Sequence, residues 1–322
     1  MQTLASFFLR RRIHLPAPEE KLIEVAPGVK VRCWCYWQSG DLRERARALT
    51  AIVVHGLEGS SDSQYMIGVA RNSLALGMNV VLMNQRNCGG MDHFAPTLYN
   101  SSLSGDVAAV ARHVVERDGV SRFALIGFSM GGNLVLKLAG EWGSAGPAEF
   151  RSVAAVCPAM DFAASAAALH APSNRLYEYY FLMQLFRRLR LKAKFFPETF
   201  DPARLRGVSS LRLFDDRITA HYCGFAGAED YYQRAAASNV VDRIAVPALI
   251  IHAANDPFIR VRPETRARIA ANPNITYIET EDGGHCAFLG ERNGAGNGRR
   301  EAGQEYDGRW AEHEVVEFMG SR

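Results

Sequence analysis

From Thr50 onward the chain alternates short, continuous apolar runs with longer stretches of helical spacing, and this alternation restricts the fold more than any other feature. Thr50 to His55, Asn79 to Asn84, Arg122 to Gly127, Ser152 to Cys157, Pro247 to His252 and Ile275 to Thr280 read as strands, with Val29 to Trp37 ahead of them. Ala51-Ile-Val-Val54 and Ala248-Leu-Ile-Ile251 are apolar throughout rather than at every second residue, as strands buried on both faces are. Gln64 to Leu76, Gly105 to Asp118 and Asn133 to Glu141 separate them as helices. Repeated strand-then-helix predicts an α/β fold with a mostly parallel central sheet flanked by helices.

The rhythm fails between Asp161 and Val246. That segment is rich in Tyr, Phe and Arg, lacks a buried-strand signature, and is too long for a plain loop in a compact domain. It predicts an inserted helical cap, 161–246, in a core made of 1–160 and 247–322. Its clearest helix, Leu176 to Lys194, carries Leu182, Leu185, Phe186 and Leu189 at the spacing of one helical face. Gly290 to Gly308 reads as a mobile surface loop, and Trp310 to Met319 as a closing amphipathic helix.

Gly127-Phe128-Ser129-Met130-Gly131 lies between a strand and a helix, the context of a G-x-S-x-G nucleophile elbow. Small residues on either side of the serine let the backbone turn sharply and lift its hydroxyl to the strand's C-terminal edge. A capping serine in a Gly-rich turn is the plain alternative. A serine nucleophile needs a general base, and the base an orienting acid. Asp256, in Asn255-Asp256-Pro257, and His285, in Asp282-Gly-Gly-His285, follow the two last strands, in the chain order Ser, Asp, His. Asp161 at another strand end is the competing acid. His55-Gly56-Leu57-Glu58-Gly59 ends the strand at Val54, and the backbone N–H groups of Leu57 and Met130 are placed as an oxyanion hole. His55 itself reads as a structural tie between loops, and the match of His113 and Asp118 to an H-x-x-x-x-D pattern as chance.

Composition excludes more than it suggests. Lys and Arg number 37 against 34 Asp and Glu, a net charge of +3, too balanced for nucleic acid to be the partner. Charge-free stretches do not exceed the 14 residues of Asn72 to Gln85, and a spanning helix needs about 20. The apolar run Leu4 to Leu9 precedes its basic residues, Arg10 to Arg12, the reverse of a secretory signal, so a cytoplasmic location is expected. The six cysteines are scattered, with no zinc spacing, and read as reduced, mostly buried thiols. No cofactor or metal is implied. Arg187, Arg188, Arg190, Lys192 and Lys194 cluster beside apolar residues of the cap helix; a solvated outer face is the first reading, peripheral membrane contact the second.

With these residues in hand, the chain resembles α/β-hydrolases of the YheT-like branch, also called the AB-hydrolase-4 family of esterases. The resemblance rests on His55-Gly-Leu-Glu-Gly-Ser-Ser61 with Tyr65, Asn84-Gln-Arg86 with Cys88 and Gly90, Gly127 to Asn133, Asn255 to Pro257 and Gly283-Gly-His285. Within the cap it rests on Phe214-Asp215, Thr219, Gly224-Phe225, Tyr231-Tyr232 and Ser238. It implies a Ser129, Asp256, His285 triad acting on small-molecule acyl esters, including medium-chain esters and monoacylglycerols, and in some relatives transfer of the acyl group to alcohols. Asn87 and Ala287 stand where many relatives have Gly. The expected protein is a monomeric serine esterase with an apolar acyl channel lined by Tyr177, Tyr179, Tyr180, Phe181 and Phe186. Alcohol acyltransferase and a silent, lipid- or partner-binding hydrolase fold are the rivals.

Overall fold

The computed structural model describes residues 11–290 and 306–321. The apolar run Leu4 to Leu9 and residues 291–305 of the expected loop lie outside them. Among the described residues, eight strands form one sheet in the order β1-β2-β4-β3-β5-β6-β7-β8: β1 (Glu19–Ala26), β2 (Val29–Tyr36), β3 (Thr50–Val54), β4 (Asn79–Met83), β5 (Phe123–Phe128), β6 (Phe150–Val156), β7 (Ala248–Ala253) and β8 (Ile275–Thr280). β1 pairs antiparallel with β2, and β2 with β4; the remaining pairs are parallel. The sequence reading expects seven strands and misses β1. Glu19, Glu20, Lys21 and Glu24 make it polar, and Ile23 alone of its residues is fully buried. Charge of this kind protects an edge strand from pairing with another chain.

Every residue of β3, β4 and β5 is buried. Because strand side chains alternate, Ile52 and Val54 enter one core and Ala51 and Val53 the other. The first core packs against α3 (Ser104–Asp118), α4 (Met130–Trp142) and α10 (Pro263–Ala271). The second packs against α2 (Gln64–Ala75) and α11 (Trp310–Gly320). A short helix, α1 (Leu42–Arg47), lies between β2 and β3.

Between β6 and β7 the chain is helical: α5 (Phe162–His170), α6 (Arg175–Phe195), α7 (Leu211–Phe214), a π turn at Asp215–Thr219, α8 (Ala220–Cys223) and α9 (Ala228–Ala235). α6 buries Leu182, Leu185 and Leu189 on one face, with Glu178 and Lys192. This corrects the reading of the basic cluster as one solvated or membrane-facing surface. Lys192 is fully buried; its ammonium donates to the carbonyls of Asp92, at 2.9 Å, and Ala95. Arg188 donates through Nε and Nη2 to the two Glu58 oxygens at 2.7 and 2.9 Å, and through Nη1 to Asp92 Oδ1 at 2.8 Å and the Asn87 carbonyl. Lys192 lies four residues beyond Arg188, so the two turn inward together and bolt α6 to the loops after β3 and β4. Arg187, Arg190 and Lys194 remain exposed. No helix among the described residues is long and apolar enough to cross a membrane. All six cysteines are free thiols, four of them buried.

Candidate active site

β5 ends at Phe128, and the chain reverses through Ser129 into α4. Ser129 has φ 53° and ψ −116°, a conformation that costs an L residue roughly 1–3 kcal/mol. Two glycines make that turn possible. A Cβ on Gly127 would stand 2.3 Å from the Gly131 carbonyl oxygen, and one on Gly131 would stand 2.3 Å from the Val54 carbonyl oxygen. The Ser129 N–H donates to Val156 O at 2.9 Å, tying the elbow to β6. Asn133, one turn into α4, donates to the carbonyls of Ser101 and Ala235 and accepts from the Ala237 N–H at 2.8 Å. One side chain thus holds the elbow helix against the returning helical segment.

Ser129 Oγ lies 2.9 Å from His285 Nε2, and His285 Nδ1 lies 2.8 Å from Asp256 Oδ2. The other Asp256 oxygen accepts from the N–H groups of Phe258 and Ile259 at 3.0 and 2.9 Å. Burial opposes the Asp256 charge, but His285 and these two amides outweigh it and hold the carboxyl below its ordinary range. Burial likewise opposes an imidazolium at His285, yet the Asp256 charge prevails and raises the His285 pKa. The competing acid, Asp161, is engaged elsewhere: it accepts from the Arg262 N–H and the Thr265 hydroxyl at 2.9 Å each, fixing the start of α10.

The loop after β3 is pinned on both sides of Leu57. Gly56 N–H donates to the Tyr65 hydroxyl at 2.9 Å and Glu58 N–H to the Tyr99 hydroxyl at 3.0 Å. The Leu57 N–H has no partner among the described residues, and Met130 opens α4, where helix N–H groups lack intrahelical acceptors. Glu58 has φ 54° and is held there by Tyr99, which donates back to Glu58 Oε1 at 2.6 Å, and by Arg188. His55 is buried and ties Gly56 to Gln85, accepting from the Gln85 N–H at 3.1 Å. Burial lowers its pKa to about 4, as suits a structural, neutral imidazole.

An apolar cavity, open to solvent, lies over Ser129. Leu57 and Met130 line it beside the serine, with Phe162 of α5, Phe181, Leu185 and Leu189 of α6, Phe214, Tyr232 and Phe258. Of the five aromatics expected to form a channel, Phe181 lines it. Tyr177 packs on Phe258 and Phe186 on Phe214, while Tyr179 and Tyr180 face solvent. Helix rotation explains Tyr180, which sits opposite the buried stripe of Leu182, Leu185 and Leu189, whereas Tyr179, three residues before Leu182, lies on the exposed flank of that stripe. One acid enters the cavity from the π turn: Asp215 accepts from Thr219 Oγ1 at 2.8 Å and the Tyr232 hydroxyl at 2.9 Å, and burial raises its pKa to about 7.

Ligand-capable atoms of Cys157, His285 and Cys286 lie within 4.8 Å of one another, as do those of Cys157, His252 and Asp256. Both sets take an atom from the Ser129–His285–Asp256 chain, so an ion there would compete with it. The Glu58, Tyr99 and Arg188 clamp has one local sign in the sequence, Glu58 in the His-Gly-Leu-Glu-Gly segment. Asn87, noted as a departure, has φ 63°, a left-handed conformation that Asn tolerates better than most residues.

Residues 52–291 match the family described as the alpha/beta hydrolase fold. The chain belongs to the α/β-hydrolase fold family. It is 34% identical over 245 residues to YheT of Escherichia coli, a protein given an esterase name, covering 74% of this chain and 70% of that one. It is 29% identical over 241 residues to the phospholipase ABHD3 of Mus musculus and 25% identical over 305 residues to the medium-chain fatty acid ethyl ester synthase/esterase 2 of Saccharomyces cerevisiae. The matched stretches cover 74% and 87% of this chain but 58% and 63% of those relatives. Among solved structures, the Pyrococcus furiosus esterase Pf2001 superposes with a TM-score of 0.59 at 19% identity, covering 97% of this chain and 96% of that one; this likeness concerns the fold.

Proposed function

We propose that the protein is a serine esterase that cleaves carboxylic esters through an acyl-Ser129 intermediate. The observation that carries the reading is the unbroken hydrogen-bonded chain from Ser129 Oγ through His285 to Asp256, at 2.9 and 2.8 Å, on the floor of an apolar cavity. Ser129 Oγ attacks the ester carbonyl carbon as His285 Nε2 takes the hydroxyl proton. The carbonyl oxygen gains negative charge and is received by the Leu57 and Met130 N–H groups, each such donor being worth about 3–4 kcal/mol of barrier. Collapse expels the alkoxide, which leaves as the alcohol with the proton from His285. Water then repeats the sequence on the acyl-enzyme and releases the acid. Asp256 keeps Nδ1 protonated and stabilises the imidazolium without itself taking the proton.

The cavity's apolar lining favours the acyl chain of a medium-chain or acylglycerol-type ester. Residues 161–246 serve as the cap over a core formed by 1–160 and 247–322. Labelling with a fluorophosphonate probe tests the reading: the native chain should be modified at Ser129, and Ser129→Ala should be neither labelled nor active. Modification elsewhere, with ester turnover intact in Ser129→Ala, would overturn it.

The similarity to a yeast synthase/esterase supports acyl transfer to an alcohol as a second outcome of the same acyl-enzyme, because only the acceptor differs. Ethyl ester appearing when ethanol is added during turnover would establish it. A silent binding module is disfavoured by the hydrogen-bonded alignment of all three side chains.

A further inference from the structure

The long helix α6 presents two unlike faces. Its inner face carries Leu182, Leu185 and Leu189, and the last two line the cavity over Ser129. Its outer face is unusual for a solvated surface. Seven large hydrophobic side chains are exposed among the described residues, and five belong to this helix: Leu176, Tyr179, Tyr180, Met183 and Phe195. Leu176 and Tyr179 are 83% and 64% exposed. Leu176, Tyr180, Met183, Arg187, Arg190 and Lys194 follow one another at alternating spacings of four and three residues, so they share a single stripe along the helix. The stripe is apolar and aromatic in its first half and cationic in its second. The helix has one acidic residue, Glu178, and it is buried on the other side, bonded to His170 and to the Leu211 N–H. The exposed face of α6 therefore carries cations with no carboxylate among them.

From this we infer that the outer face of α6 docks on a membrane surface bearing anionic headgroups, with Tyr179, Tyr180 and Met183 entering the headgroup boundary and Arg187, Arg190 and Lys194 paired with lipid charge. Aromatic and apolar residues beside exposed cations, with no acid on the helix's own outer face, suit an interfacial helix. The occupant is a lipid surface rather than a second copy of the chain. A two-fold dimer would set this same patch against itself, bringing its cations together with no carboxylate on either helix to pair them. Docking here would hold the helix that lines the cavity at the surface where acyl esters of lipids reside. The inference rests on the esterase reading for what is cut, but not for the binding itself.

Sedimentation of the full chain with vesicles tests it, using phosphatidylcholine alone and phosphatidylcholine with phosphatidylglycerol. Binding should require the anionic lipid and fall with added salt. Arg187→Gln with Arg190→Gln should lower partitioning roughly 25-fold, about 5-fold per cation. Tyr179→Ser, Tyr180→Ser and Met183→Ser together should abolish it. Both variants should hydrolyse a water-soluble short-chain ester as the native chain does, which reports an intact fold. Ser129→Ala should bind vesicles normally, so failure of the esterase reading and failure of docking are separable. No sedimentation of the native chain, equal sedimentation of the variants, or a dimer that the triple serine variant dissociates would each overturn the proposal.

Discussion

Arg188→Met should separate the chemistry at Ser129 from the binding of substrate. The guanidinium meets both Glu58 oxygens at 2.7 and 2.9 Å, with side chains only 12% and 9% exposed. At an effective dielectric near 20, charges about 4 Å apart attract by about 4 kcal/mol. Removing one member of a buried pair costs about 3–5 kcal/mol, because the other is left desolvated and unpaired. Glu58 keeps its bond from Tyr99, at 2.6 Å, but Asp92 loses its contact with Arg188 as well, so the whole of that range applies. The strain falls on a residue already at φ 54° and directly after Leu57. If relaxation of Glu58 turns the Leu57 N–H away from the developing oxyanion, kcat should fall by about 10²-fold, the effect of losing one such donor. KM should change far less, since the interaction exists chiefly in the transition state.

The assay is steady-state hydrolysis of a p-nitrophenyl ester, with urea denaturation to read stability. Arg188→Lys should be intermediate, because an ammonium supplies charge without the two-pronged geometry. Glu58→Gln in the Arg188→Met background should recover part of the lost stability by removing the uncompensated carboxylate, giving a coupling energy well above 0.5 kcal/mol. A stably folded Arg188→Met enzyme with native kcat, or a cycle with no coupling, would refute the link between the α6 clamp and the proposed oxyanion site.

Asp256→Asn should leave the fold intact and lower kcat by about 10⁴-fold, through loss of the correct His285 tautomer; a near-native rate would assign the acid elsewhere. His285 acts as a base only when neutral, and Asp256 raises its pKa, so kcat/KM should climb with pH on a limb above the ordinary 6.5; a pH–rate profile with its limb at or below that value would contradict the pairing. Gly131→Ala puts a methyl 2.3 Å from the Val54 carbonyl and 2.5 Å from that of His55, backbone that cannot step aside, and should lower both the urea midpoint and activity. Lys192→Met strands the carbonyls of Asp92 and Ala95 at about 1–3 kcal/mol, measurable as a reduced midpoint with little change in KM.

What the sequence made legible follows from how local each determinant is. The parallel strands announce themselves because burial on both faces demands unbroken apolar runs, and the elbow because two glycines bracket Ser129 where a Cβ would strike backbone. β1 escapes because an edge strand is selected for charge rather than hydrophobicity. The helix α6 is the instructive case. Its apolar spacing gave the inner face at Leu182, Leu185 and Leu189 correctly, yet five basic residues in eight positions looked like one surface feature.

Rotation divides them. Arg188 and Lys192 share the buried side with Leu185 and Leu189, and their acceptors, Glu58, Asp92 and the Ala95 carbonyl, lie about a hundred residues away in sequence. No periodicity in the helix could reveal those partners, because a buried cation and an exposed one differ in their tertiary neighbours and not in their letters. Once those two are assigned to the clamp, the remaining cations align with Leu176, Tyr180 and Met183 rather than against them. The same rotation that withdraws Arg188 from solvent therefore makes the outer stripe coherent, and it links an exposed apolar and cationic face, the wall of the cavity over Ser129 and the loop bearing Leu57 through a single helix.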